Sequence, residues 1–153
     1  MKREIKFRGK IASEDLEDLI SCELEIPYED GWVEGSFVEP NIITGRVADI
    51  DWDYFATEWW ARVVPETVGQ FTGLKDKNGV EIYEGDIIEH RRDGLCLVSY
   101  GIQNVDAFEG IGFNLWDFYG EYSDIGKAIR LQSSVEVIGN IHDNPELLKG
   151  EVI

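Results

Sequence analysis

Three aspartates alternate with bulky side chains in Asp49-Ile50-Asp51-Trp52-Asp53, a spacing at which carboxylates could hold a hard cation. An EF-hand loop needs Asp at positions one, three and five, Gly at six and a bidentate Glu at twelve. Counted from Asp49, position six is Tyr54 and position twelve is Trp60, so that loop is excluded. What is left is either a weak oxygen-ligand site, on which a metal-assisted hydrolase could be built, or a solvated strand face. On a strand the three carboxylates would share one side, with Ile50, Trp52 and Tyr54 on the other. The solvated face is the default, and no residue is assigned as a metal ligand.

The other reactive groups are scattered. His90 and His142 are the only histidines, and neither has a second His or Cys at ligand spacing. His142-Asp143 could pair a base with an orienting carboxylate, but no Ser or Cys nucleophile can be matched to it. Cys22 and Cys96 fit no metal spacing. Cys96 lies in the apolar run Leu95-Cys96-Leu97-Val98, where burial would quieten a reduced thiol. Gly73-Leu74-Lys75 and Gly9-Lys10 lack the glycine spacing and the hydroxyl of a phosphate-binding loop. No catalytic residue and no cofactor is assigned, and the expectation is a protein that is not an enzyme.

Surface chemistry points elsewhere. The chain has five tryptophans, Trp32, Trp52, Trp59, Trp60 and Trp116. Neighbours on a regular strand face opposite sides, so at least one of Trp59 and Trp60 is exposed, or covered by a partner or a second subunit. Interfaces favour Trp and Tyr. Trp59, Trp60, Asp49, Asp51 and Asp53 are therefore the candidate partner-binding residues, with a protein partner or another copy of the chain as the occupant.

Charge narrows the partners further. Against 14 Lys and Arg stand 31 Asp and Glu, a formal net charge of -17. Most of such a surface repels phosphate backbones, so direct nucleic-acid binding is not expected. Solubility explains the balance simply. The alternative is an acidic mimic of nucleic acid that inhibits a host DNA-binding protein, using Glu14, Glu17 and Asp18 together with Asp49, Asp51 and Asp53. The cations Lys2, Arg3, Lys6, Arg8 and Lys10 gather at the start, where they read as one face of a strand. No run approaches the roughly 20 apolar residues that span a bilayer, and no secretory signal is visible, so a soluble intracellular protein is expected.

The elements that would position these residues are short. Ile5 and Phe7 alternate with Lys6 and Arg8 as a first strand. Ser13 is placed to cap a helix to about Ser21, with Leu16, Leu19 and Ile20 as its apolar stripe. Trp32 to Val38 reads as a strand, with Gly35 marking a bulge or a close backbone approach. Asn78-Gly79 is the sequence signal of a type I′ hairpin turn, and Glu84-Gly85 marks a second turn before Ile87-Ile88. Leu95–Tyr100, the alternating Ile111, Phe113 and Leu115, and Val135–Ile141 supply further strands, Gly120 to Ser134 reads as a polar loop, and Asn144-Pro145 opens a last helical turn. Many short strands joined by Gly and Asn turns predict a mainly β (α+β) fold, a small barrel or sandwich. With 153 residues and 43% hydrophobic content the chain can bury a real core.

The segment from Pro65 to Gly79 (PETVGQFTGLKDKNG), followed by Ile82-Tyr83-Glu84-Gly85-Asp86-Ile87, resembles the signature of the YopX family of phage and prophage proteins. Arg3 to Gly9 at the start, and Val135 to Ile141 with Asn144-Pro145-Glu146-Leu147 at the end, resemble it as well. The resemblance implies an SH3-like β-barrel and no established activity; for a phage protein, the intracellular location expected above is the cytoplasm of a bacterial host cell. It is weakest from Ala12 to Trp60. The expected division is a β-rich N-terminal extension with a short helix over 1–63, then the SH3-like barrel with its C-terminal helical turn over 64–153. Gly85-Asp86-Ile87 is similar to the start of a strand in such barrels, where Gly allows the turn and Asp caps it.

Overall fold

A computed structural model of the chain describes residues 4–21, 26–90, 94–105, 108–117, 122–124 and 135–149. The fold is mainly β, with one helix of nine residues. The chain divides into two compact units, Met1–Gln70 and Phe71–Ile153.

In the first unit, β1 (Phe7–Lys10) is followed by α1 (Ser13–Ser21), β2 (Trp32–Val38), β3 (Ile42–Thr44), β4 (Val47–Asp51), β5 (Tyr54–Thr57) and β6 (Trp60–Arg62). Strands β6, β3, β2 and β1 lie side by side, and Phe7 and Arg8 also pair with Gln70 and Gly69 at the start of β7 (Gly69–Lys75). The core of this unit gathers Ile11, Ile26, Val33, Ile43, Ala61 and Val63, with Phe7, Leu16, Phe37, Trp59 and Val68 packed on it. The sheet backbone comes close at Gly35, where a Cβ would run into the Thr44 carbonyl. The close approach expected at that glycine is therefore present, and no larger residue fits.

The helix spans the expected residues, but its first bond runs from Leu16 N–H to the Ala12 carbonyl. The cap thus falls one residue before Ser13. Arg62 Nη2 donates to Asp15 Oδ1 at 2.6 Å, tying α1 to β6. Along β1 and just before it, the cations are taken up by neighbours: Lys6 faces Glu4 and Glu34, while the Arg8 guanidinium lies 4.8 Å and the Lys10 ammonium 6.0 Å from the centre of the Trp32 ring. The basic strand face is built into the sheet by ion pairs and cation–π contacts.

In the second unit, the last five residues of β7 lead to β8 (Glu81–Tyr83), β9 (Asp86–His90), β10 (Gly94–Val105), β11 (Phe108–Asp117), β12 (Tyr122–Asp124), β13 (Val135–Asn140) and α2 (Glu146–Lys149). Five of these form a sheet in the order β12-β11-β10-β9-β13. Among the described residues this sheet has two open ends and does not close on itself, so the SH3-like barrel implied by the family resemblance is not confirmed. β12 lies within the stretch that composition marks as a loop; the rest of that stretch, Lys2, Arg3 and Cys22 fall outside the described residues. Ile82, Ile88, Cys96, Val98 and Val135 make the core, and Cys96 is buried there as its apolar run suggests. β10 and β11 pair from Cys96↔Asp117 to Val105↔Phe108, well past the four residues that β9 covers.

Two turns organise this unit. The type I′ turn expected at Asn78-Gly79 is corrected: only Gly79 has positive φ, 80°. Gly79 N–H donates to the Asp76 carbonyl at 3.0 Å, the pattern of a type I turn followed by a glycine bulge. The reason is the buried Asp76 carboxylate. Its Oδ1 accepts from Asn78 N–H at 2.8 Å and Val80 N–H at 2.9 Å, and its Oδ2 accepts from Val137 N–H on β13 at 2.9 Å. At the second turn, Gly85 has φ 90°, and Asp86, 1% exposed, accepts from Tyr83 N–H at 2.8 Å. Near the end, Asn144 does not cap α2 with its side chain. That oxygen accepts from Asn140 N–H at 3.3 Å, and the Asn144 carbonyl accepts from Leu147 N–H.

Candidate functional site

The alternating run that begins at Asp49 is not one strand. It folds back on itself, with Asp51 opposite Tyr54, Ile50 opposite Phe55 and Asp49 opposite Ala56, so that Trp52-Asp53 is the turn. The turn carries no glycine and neither residue has positive φ, so it lacks the Asn-Gly or Asp-Gly signature by which a two-residue hairpin turn is read from sequence. Below the turn the ladder continues. Glu58 N–H donates to the Arg46 carbonyl and Gly45 N–H to the Trp59 carbonyl, and Thr44, Ile43 and Ile42 then pair with Trp60, Ala61 and Arg62. Residues 42–62 thus form one two-stranded arm. Its base is part of the sheet of the first unit, and its outer half, β4 and β5, pairs with no third strand among the described residues. At about 3.4 Å per residue, the outer half runs for roughly 17 Å.

Directly opposed residues on an antiparallel pair share a face. Ile50 and Phe55 therefore stand together, and alternation along the returning strand puts Phe55, Thr57, Trp59 and Ala61 on the same side. At the base this is the core face: Ala61 and Ile43 are buried, and the Trp59 indole covers Gly45 so closely that a Cβ there would sit 2.5 Å from Nε1. Farther out the same face leaves the core, and Ile50 is 73% and Phe55 66% exposed. The opposite face carries Asp49, Asp51, Tyr54 and Trp60. Tyr54 Oη donates to Asp49 Oδ2 at 3.0 Å across the strands. Asp51 Oδ1 accepts from Trp52 N–H at 2.7 Å. Trp52 at the tip is 93% exposed and Trp60 59%.

Of the residues singled out from sequence, Asp49, Asp51 and Trp60 therefore share one face of one arm and Asp53 lies at its tip. Trp59 is on the other face, engaged by the core of the first unit. The three carboxylates alternate along β4 only as far as Asp51. Among the described residues, no three His, Cys, Asp or Glu side chains gather in a group able to hold a metal ion. Ile50, Trp52 and Phe55 are not among the candidate partner-binding residues named from sequence; the available signal is that both neighbours of Trp52 are aspartates.

The family model described as YopX protein matches residues 29–149, a span that includes the whole arm. The chain belongs to the YopX protein family. The crystal structure of protein EF1440 from Enterococcus faecalis is similar, at 26% identity over 96% of this chain and 99% of that chain, with a TM-score of 0.48. No curated protein matches. This YopX-family chain has no helix, among the described residues, long and apolar enough to cross a membrane.

Proposed function

We propose that the chain is a non-enzymatic protein-interaction module acting in a phage or prophage setting, in the cytoplasm of a bacterial host. In this reading an SH3-like scaffold in the C-terminal part accompanies an N-terminal part whose arm makes the contact. The observation that carries the proposal is the exposure of Ile50, Trp52, Phe55 and Trp60 on one short ribbon. A two-stranded ribbon is at best marginally stable in water, and large exposed apolar side chains grouped together mark interaction sites. Anchors of this kind, Trp and Tyr above all, dominate interface energetics.

The test is affinity capture from a host extract, with phage proteins present, comparing the wild-type chain with Ile50→Ser/Phe55→Ser. These side chains are outside the core, so the fold should hold to within about 0.5 kcal/mol per site. Specific association should drop at least about tenfold. Unchanged capture by the double variant would refute the proposal. A second reading draws on Asp49, Asp51 and Asp53 at the same place: an acidic inhibitor occupying the nucleic-acid site of a host DNA-binding protein. It requires that duplex DNA displace the captured protein and that capture weaken steeply with salt.

A further inference from the structure

We propose that the arm docks into a basic protein surface, one with an apolar cleft that takes Ile50, Phe55 and Trp52 and a rim of Lys or Arg that meets Asp49, Asp51 and Asp53. The inference rests on the interaction-module reading and specifies the partner's chemistry. The two faces of the ribbon set the requirement. One side presents Ile50 and Phe55, both largely exposed, while Asp49 and Asp51 are on the other and Asp53 is beside Trp52 at the tip. Between Val47 and Thr57 there is no Lys or Arg. The ribbon is only two strands wide, so a partner whose cleft takes the apolar side reaches the carboxylates with its rim, and charges that meet there lie inside the roughly 8–10 Å over which salt screens. Opposite charge is favoured there, and like charge is disfavoured.

Charge also argues against a second copy as the occupant. Each copy would bring its own three aspartates to one short contact, in a chain whose net charge is -17. Among the described residues, the cations clustered near the start of the chain are already engaged: Lys6 with Glu4 and Glu34, Arg8 and Lys10 with Trp32. Outside that cluster, Arg62 meets Asp15 and Lys77 meets Glu136. A basic partner of a different sequence fits both faces of the arm; another copy fits only the apolar one.

Fluorescence anisotropy with labelled peptides tests the pairing directly. The probes are an amphipathic Lys/Leu peptide and a Glu/Leu peptide of the same length and pattern. The full-length chain should bind the Lys/Leu peptide at least about tenfold more tightly than the Glu/Leu peptide. Asp49→Asn/Asp51→Asn/Asp53→Asn should weaken that binding about tenfold, whereas Glu14→Gln/Glu17→Gln/Glu66→Gln, which removes the same charge elsewhere, should weaken it less than about threefold. Ile50→Ser/Phe55→Ser should also weaken it about tenfold. Equal effects of the two charge variants would overturn the inference, since attraction would then belong to the whole surface. So would equal binding of the Glu/Leu peptide, or a wild-type dimer in sedimentation that the Ile50→Ser/Phe55→Ser change turns into a monomer. Each of these leaves the interaction-module reading standing; that reading falls only if the arm variants alter no association at all.

Discussion

Replacing Asp76 with Ala is expected to destabilise the Phe71–Ile153 unit by about 4 kcal/mol, because three backbone N–H groups lose a charged acceptor together. The carboxylate is 5% exposed and joins the Asn78 and Val80 amides of the turn to Val137 on β13. With it gone, three part-buried donors exchange a charged acceptor for water or for none, and each such bond is worth about 1.5–3 kcal/mol before water offsets part of the loss. Asp76→Asn should also be costly, since an amide group cannot accept at both oxygens' positions. Native-state amide exchange reads the effect locally. Asn78, Val80 and Val137 should lose protection in both variants. Lys77→Ala, which removes only the exposed ion pair to Glu136 at 3.0 Å, should leave them within about 0.5 kcal/mol of wild type. Protection of those three amides unchanged in Asp76→Ala would contradict the role given to this side chain.

The adjacent tryptophans should separate stability from association. Trp59 packs on the core of the first unit and covers Gly45, so Trp59→Ala should cost about 2–3 kcal/mol, below the range for a fully buried Trp. Trp60 is 59% exposed, and Trp60→Ala should change stability by no more than about 0.5 kcal/mol. Association should respond in the other order when compared under conditions where both variants are folded. Urea titration paired with affinity capture of each variant checks this. Equal destabilisation by the two changes would mean that the arm does not alternate its faces as described.

Much of this was legible in the sequence for simple physical reasons. The first helix, the strand through Gly35, the turn at Gly85 and the burial of Cys96 follow from apolar periodicity and from glycine where the backbone needs it. That one of Trp59 and Trp60 must face outward follows from strand alternation alone. The arm was not legible as an arm. Its turn uses Trp52-Asp53, without the glycine of the common hairpin signatures, so the run from Asp49 to Tyr54 looks like one strand and its three aspartates like one row. The turn at Asn78-Gly79 misled for a related reason. Asn-Gly suits a type I′ turn, but the Asp76 carboxylate, two residues earlier in sequence, organises the loop by bonds that no dipeptide preference contains. The open ends of the five-stranded sheet likewise depend on which strands pair at long range, a property that local patterning does not encode.

Site-specific photo-crosslinking from the tip of the arm tests the central claim most directly. A photoreactive phenylalanine analogue placed at Trp52, and separately at the exposed Glu66 as a control, should be irradiated in host cells that also carry the phage proteins. The account predicts a discrete protein adduct from position 52 that is absent from position 66 and is lost when Ile50→Ser/Phe55→Ser is combined with the tip label. Adducts of equal yield from both positions, or none from position 52 while the chain is demonstrably held in a complex, would contradict it.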